Sequence, residues 1–383
     1  MFNTSTIELS PKALKSNLRF IKKQIQKKQT RLCCVIKGNA YGHGAKEYVE
    51  MAMAQGLDYF GVHAAEEAYE LKQELENLPA LFIMGAIEKD AVEWAVENDI
   101  EFAVFDFERL DDAVKYAKKL NKKAKVHIEI ETGMHRTGFE SPHLVDLFYY
   151  LKKHYDVLTF QGLFTHFAGA ESQANHFRIS KQLSNFKQIK DLFASADLIP
   201  INYHTACSAV LLNYPEAIGN MVRVGIMQYG FWPNIETHVR FCGERENNPD
   251  PLRRVIRWTT KVIALKEARK GSFIGYGTSY LAHKNIKLAI LPIGYSHGYS
   301  RNLSNVGAVL INGRLAPVVG TVNMNSLTVD ITHAGQVEKG DEVVLIGKQK
   351  SKEITVNSFS EQSNQLNYEL LTRLPRNIPR TVV

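Results

Sequence analysis

Eight short apolar runs alternate with helix-like stretches along the first part of this 383-residue chain, and that alternation narrows the folds open to it. The runs lie near 31–36, 58–63, 80–85, 100–105, 124–130, 158–165, 200–204 and 221–228. Helical patterning marks 10–28, 64–75, 90–97, 107–120, 144–155 and 180–193, with Ser10 as the expected N-cap of the first helix and Pro11 at its first position. Runs that are apolar throughout read as strands covered on both faces, the habit of parallel sheets flanked by helices. Eight such units predict a closed α/β barrel of the TIM-like (β/α)8 type. An open doubly wound sheet usually has fewer strands and a glycine-rich phosphate fingerprint near its start, and this chain has none.

The pattern changes around 233–257, where Gly243, Pro249 and Pro251 sit in a polar stretch that reads as a linker. Beyond it come β-type alternations at 260–265, 286–293, 308–311, 316–322, 326–331 and 342–346, with Asn312-Gly313 as a hairpin turn. The expected organisation is a barrel over 10–240 and a mainly β domain over 241–383, joined by the early strand 1–9.

A net charge of +7 could suggest an anionic polymer as partner, but the lysines fall mostly on helix faces, such as Lys118, Lys119, Lys122 and Lys123. A small phosphorylated or carboxylate ligand would account for it, without nucleic acid. The four cysteines show no metal-ligand or disulfide spacing, so no metal is expected. The start lacks the layout of a secretory signal, and no run of about 18 apolar residues suggests a membrane span. A cytoplasmic location is the expectation.

In a parallel barrel, function sits at the carboxyl ends of the strands. Five polar groups fall there. Lys37 closes the first run in Cys33-Cys-Val-Ile-Lys37, where a partly desolvated amine acquires a lowered pKa and can form a Schiff base with an aldehyde. Arg136 follows the fifth run, His166 ends the sixth, Ser208 follows the seventh in a position to cap the next helix, and Arg223 with Gly225 lies in the eighth. Each has an ordinary alternative: a snorkelling lysine, a satisfied core histidine, a helix cap. Arg223 is harder to dismiss, because an unpaired buried guanidinium is very unfavourable. Ser208 and Gly225 also fall where barrels bind phosphate. An aldehyde-reactive lysine, a phosphate cradle and a strand arginine together point to pyridoxal 5′-phosphate.

With those residues in view, the chain resembles the alanine racemases, the barrel-type (fold type III) pyridoxal phosphate-dependent amino-acid racemases, from about residue 6 to Arg380. Lys37 with Asn39-Ala-Tyr-Gly-His-Gly44 resembles the cofactor-lysine segment, with Gly38 where alanine is usual. Thr132-Gly-Met-His-Arg-Thr-Gly138 resembles the segment of the carboxylate-binding arginine, and Ile274-Gly-Tyr-Gly-Thr-Ser-Tyr280 that of the catalytic tyrosine. Leu291-Pro-Ile-Gly-Tyr295 and Val322-Asn-Met-Asn325 resemble substrate-pocket segments, and Asn367-Tyr-Glu-Leu370 one whose tyrosine touches the phosphate. The sequence departs from the pattern at Cys207, where asparagine is usual, at Asn325 in place of aspartate, and at Ser296-His297 in place of Ala-Asp.

The resemblance implies an isomerase interconverting L- and D-alanine for cell-wall peptidoglycan, working as a homodimer with shared active sites. Lys37 and Tyr276 would be the two bases, the tyrosine supplied by the partner chain and supported by His166 beside Arg223. Arg223 would meet the pyridine nitrogen, and Tyr41, Ser208, Gly225, Ile226 and Tyr368 the phosphate. Arg136, Met324 and Tyr295 would line the substrate site. Many relatives place a carbamylated lysine seven residues before that arginine; here Glu129 occupies the position, with Glu131 as a competitor on the same strand face. Three other readings remain: a racemase for different amino acids such as serine, a barrel-type decarboxylase, and a non-catalytic cofactor carrier. The decarboxylase needs a cysteine in the β domain, and beyond the barrel only Cys242 occurs, in the linker.

Overall fold

The computed structural model describes residues 3–25, 29–243, 250–356 and 367–383. Residues 26–28 of the expected first helix and Pro249 of the expected linker lie outside the described residues. The chain divides into two compact units, Leu14–Lys37 with Ala52–Arg253, and Met1–Ala13 with Gly38–Met51 and Arg254–Val383.

The first strand, β1 (Ser5–Leu9), belongs to the second unit and is taken up below. The first unit is built on β2 (Arg31–Val35), β3 (Tyr59–Val62), β4 (Ala80–Ile83), β5 (Glu101–Val104), β6 (Ala124–Glu129), β7 (Leu158–Phe164), β8 (Asn202–His204) and β9 (Met221–Val224). All neighbours pair in parallel, in the order β8-β7-β6-β5-β4-β3-β2-β9. The last gap, between β8 and β9, is bridged by Arg223 N–H donating to Ala206 O at 2.9 Å. Asn220 ties the same two strands through its side chain, accepting from Tyr203 N–H at 2.6 Å and donating to Ile201 O at 2.8 Å. The result is a nearly closed eight-stranded barrel, as the alternation of runs predicts. Cys33, Tyr59, Phe82, Ala103, Phe164 and Met221 pack its interior.

The flanking helices follow their sequence signals. Ser10 Oγ accepts from Ala13 N–H at 3.3 Å, so the expected N-cap of Pro11–Gln24 is present. Phe107–Leu120 starts at Asp106, whose carboxylate accepts from Arg109 N–H at 2.8 Å, and stops where Asn121 turns left-handed at φ 50°. Between these ends Leu110, Ala113, Val114 and Ala117 are buried at helical spacing against the sheet. The eighth run ends earlier than its apolar residues suggest: β9 stops at Val224, because Gly225 takes φ −103°, ψ −101°, outside the strand region.

The second unit holds two sheets. One runs β14 (Arg314–Pro317), β13 (Ala308–Ile311), β16 (Glu342–Gln349), β10 (Ile256–Lys261), β1, β18 (Arg380–Val382), with β17 (Lys352–Ile354) beside β16. The other is β11 (Ala264–Ala268), β12 (Ile286–Leu291), β15 (Leu327–Asp330). β1 lies between β10, antiparallel, and β18, parallel, so the first residues complete a sheet whose other strands come from the end of the chain. Its alternation puts Ser5, Ile7 and Leu9 inside, while Glu8 faces Arg257 across the pair at 2.7 Å. Asn312 (φ 55°) and Gly313 (φ 77°) form the β13–β14 hairpin turn in the left-handed geometry that Asn-Gly favours.

Two expected strands differ. The run 260–265 serves both sheets: Val262 N–H donates to Asp341 O, Ile263 N–H to Ile290 O, and the chain changes sheet between them. The run 316–322 also changes partner: it belongs to β14 up to Pro317, then Val318 bridges Val329 and Val319 N–H donates to Thr328 O on β15, before Gly320 at φ 80° turns the backbone away.

Candidate active site

Ile36 N–H closes the β2–β3 ladder on Gly61 O at 2.8 Å, and Lys37 leaves the strand end directly after it. Its amine has no hydrogen-bond or ion-pair partner among the described residues. The residue is exposed to water, yet enough protein lies around the amine to desolvate it in part. That burial lowers its pKa, and the cationic Arg136 and Arg223 push the same way. A lysine that snorkels fully into water would keep its ordinary pKa.

The segment after Lys37, in the second unit, carries four consecutive left-handed residues, Gly38, Asn39, Ala40 and Tyr41, at φ 51° to 63°. Three lack glycine's freedom, and each costs about 1–2 kcal/mol in this conformation. Hydrogen bonds hold the turn: Gly42 N–H to Gly38 O, Gly44 N–H to Asn39 O, and Asn39 Oδ1 accepting from Ala45 N–H, which opens the helix Ala45–Met53. Gly42 cannot be replaced, since a Cβ there would lie 1.8 Å from Leu371 O. Tyr41 meets Tyr368 with ring centroids 5.9 Å apart.

Beyond β6 the two glutamates divide their work. Glu129 lies 3.6 Å from Arg136 Nη2 and accepts from Thr137 Oγ1 at 2.8 Å. Burial raises its pKa despite Thr137, Arg136 and Arg223. Glu131 instead holds the loop backbone, accepting from the N–H groups of Gly133, Met134, His135 and Arg136. Burial alone would raise its pKa, but these donors outweigh it. The helix His176–Ser195 anchors the loop further, through Arg178 to Gly133 O and Asn185 to Thr132 O.

Arg223 is buried on β9 and, among the described residues, touches no carboxylate; its guanidinium donates to Nδ1 and O of His204 and, at 2.9 Å, to Thr165 O. His166 follows Thr165, and burial together with Arg223, Arg136 and Lys37 drives its pKa down to about 3, so the imidazole is neutral near pH 7. Ser208 is not a helix cap. Cys207 occupies that position without a side-chain bond, and Ser208 Oγ, one residue inside, accepts from Gly225 N–H at 3.1 Å. The hydroxyl therefore ties the two segments after β8 and β9, with Ile226 beginning the turn that follows.

In the second unit Tyr276, Tyr295 and Met324 are 76%, 42% and 55% exposed. Loop 320–325 links their segments: Thr321 Oγ1 donates to Tyr276 O, and Tyr295 N–H donates to Asn323 O. The unusual residues lie together. Asn325 Nδ2 donates to Ser296 Oγ at 2.9 Å, and His297 Nδ1 accepts from Gly294 N–H within its own turn.

Sequence reading missed the group behind Arg223. His204 joins His127, which joins Glu101, and Glu101 in turn accepts from Tyr59 O–H. Glu101 and His127, polar residues inside otherwise apolar strand runs, were the available signal. Among the described residues no group of His, Cys, Asp and Glu is arranged to hold a metal, and no helix is long and apolar enough to cross a membrane.

Comparison with known proteins agrees with this geometry. Residues 9–233 match the family model of the alanine racemase N-terminal domain, and 255–382 that of its C-terminal domain. Alanine racemase 1 of Caldanaerobacter subterraneus subsp. tengcongensis is 34% identical over 98% of this chain and 93% of that protein. The solved alanine racemase of Clostridium difficile 630 superposes with a TM-score of 0.90 at 29% identity, covering 100% and 96% of the two chains. A histidine racemase from Leuconostoc mesenteroides subsp. sake superposes with a TM-score of 0.88 at 27% identity, covering 100% and 98%. The chain belongs to the alanine racemase family of isomerases.

Proposed function

We propose that this protein is a pyridoxal 5′-phosphate-dependent racemase that interconverts L- and D-alanine, supplying D-alanine for peptidoglycan, as a cytoplasmic homodimer with shared active sites. The observation that carries the reading is Lys37: a partly desolvated amine without a partner among the described residues, in the field of two arginines and near a neutral histidine. Such a cationic pocket suits a phosphorylated aldehyde and an amino-acid carboxylate, so the residues present fit the cofactor. When bound, pyridoxal phosphate withdraws electrons from the amino-acid α-carbon and makes its proton removable.

Lys37 Nζ would hold the cofactor covalently and move the α-proton on one face. Tyr276, from the partner chain, would do so on the other through its phenolic oxygen. An ordinary tyrosine is a weak base, and His166, neutral and beside Arg223, would support it by hydrogen bonding. Arg223 keeps its own proton and so would leave a ring nitrogen opposite it unprotonated, which restrains side reactions. Arg136, held by Glu129, would orient the substrate carboxylate. Ser208, Gly225, Ile226, Tyr41 and Tyr368 would receive the phosphate, and Tyr295 and Met324 would line the substrate space.

A broader or different amino-acid substrate is the second reading. Ser296, His297 and Asn325 favour it, and so does the likeness to a histidine racemase. Borohydride reduction of the cofactor-loaded protein, followed by peptide mapping, tests the first claim. Label on Lys37 is expected, and label on any other lysine would end it. Exchange of the α-proton in deuterium oxide, run with alanine, serine and histidine, then identifies the substrate.

A further inference from the structure

Behind Arg223, a row of buried polar groups crosses the barrel interior. Arg223 Nη1 meets His204 Nδ1, His204 Nε2 lies 2.8 Å from His127 Nδ1, and His127 Nε2 lies 2.7 Å from Glu101 Oε2. Glu101 also accepts from Tyr59 O–H and, on Oε1, from Gln161 Nε2 at 3.2 Å. Phe82 stacks on His127 at 4.0 Å and Phe164 on His204 at 4.8 Å, so neither ring can turn. Gly162 makes room for the contact between the imidazoles: a Cβ there would lie 2.1 Å from His127 Nδ1 and 2.7 Å from His204 Nε2.

The two ends dictate every proton between them. A guanidinium only donates and an ionised carboxylate only accepts. His204 must therefore accept at Nδ1 and donate from Nε2, and His127 must do the same. A second proton on either ring would set donor against donor. Burial lowers the pKa of both rings, and the hydrogen bonds from His127 and Tyr59 outweigh the burial of Glu101 and keep it ionised. The other groups facing the row do not disturb this order. Burial keeps Cys33 a neutral thiol, its pKa pushed up to about 12, and Arg31 lies over the Tyr59 ring at 4.0 Å.

We propose that Glu101, His127 and His204 are positioning residues for Arg223, a directional relay whose carboxylate is the guanidinium's remote counter-charge and whose last imidazole sets its orientation. For its catalytic consequence this rests on the reading of Arg223 as the residue opposite the cofactor's ring nitrogen.

Neutron diffraction from deuterated protein, with and without cofactor, reads the relay directly. Deuterium is expected on Nε2 of His127 and His204, and deuterium on Nδ1 of either ring overturns the proposal. In loaded protein carrying ring-15N pyridoxal phosphate, Glu101→Gln is expected to move the ring-nitrogen resonance. It should also lower kcat about tenfold with little change in KM. Gly162→Ala, which severs the relay without touching its charges, should act in the same direction. An unmoved resonance in Glu101→Gln overturns the proposal even if kcat or melting temperature falls, because lost packing alone would do that. If the wild-type protein takes up no cofactor, the functional reading fails instead, and the deuterium positions still decide the relay.

Discussion

At the scale of single residues, Lys37 and Glu129 show how burial shifts a titrating group in opposite directions according to its charge. Desolvation by its surroundings, with Arg136 and Arg223 adding to it, lowers the Lys37 pKa, so its amine is neutral at lower pH than that of a surface lysine. In cofactor-free protein, Lys37 should therefore be modified by a limiting amine-reactive reagent near pH 8 ahead of exposed lysines such as Lys118, as peptide mass spectrometry would read. Equal labelling would deny its special environment. Glu129 is shifted the other way, upward, chiefly by burial. On acidification it takes its proton earlier than an ordinary carboxylate and releases Arg136. The KM for the amino acid should rise as pH falls through that range. Glu129→Gln should show a raised KM, by about tenfold, that no longer varies there. Bicarbonate should have no effect on the wild-type enzyme, since the anion is built in. A Gln variant with wild-type kinetics would leave Glu129 a purely structural role.

At the scale of elements, the tight segment after Lys37 carries the most local strain. Three non-glycine left-handed residues are tolerated because Asn39 caps the next helix and successive hydrogen bonds lock the turn. Gly42→Ala would drive a Cβ into Leu371 O, and the loss of stability should exceed about 3 kcal/mol unless the backbone moves. Asp106→Ala removes an ordinary cap and should cost only about 1 kcal/mol. Urea denaturation of the two variants would rank them, and the reverse order would refute the strain argument.

For the molecule as a whole, buried neutral histidines set its response to acid. His43 is driven by burial to about 4 and His166 to about 3, and His127 and His204 are lowered as well. Their folded values lie below the unfolded value near 6.5, so the unfolded chain binds the extra protons. Stability is complete above that value and is lost as pH falls through it. By pH 5 His43 and His166 should each cost about 2 kcal/mol, and His127 and His204 act in the same direction. The urea midpoint of cofactor-free protein should drop between pH 7 and pH 5, and a flat profile would contradict the assignment of neutral rings. At the same scale, if the proposed sites are shared between two chains, mixing inactive Lys37→Ala with inactive Tyr276→Phe should restore activity, because one site of each mixed dimer would keep both proposed bases. No recovery would count against a site shared between chains.

The barrel was legible in the chain because period and composition are local properties: a strand buried on both faces must be apolar throughout, and a helix must repeat every three to four residues. Lys37, Arg136, His166 and Arg223 were legible because polar groups at the ends of such runs stand out against them. Boundaries were less so. Residues 262–263 change sheets inside one apolar run, and Gly225 ends a strand whose neighbours are all apolar, because ladder partners rather than propensity decide where pairing stops. Ser208 looked like a cap, and its hydroxyl turned instead to the backbone N–H of Gly225, just past the end of the next strand. The choice between Glu129 and Glu131 was closed to sequence, since both share a strand face; the fold of the loop sends one to a guanidinium and the other to four backbone donors. The relay from Glu101 to Arg223 lay furthest from view. Its members come from four different strands, and only closure of the barrel brings them within hydrogen-bond reach.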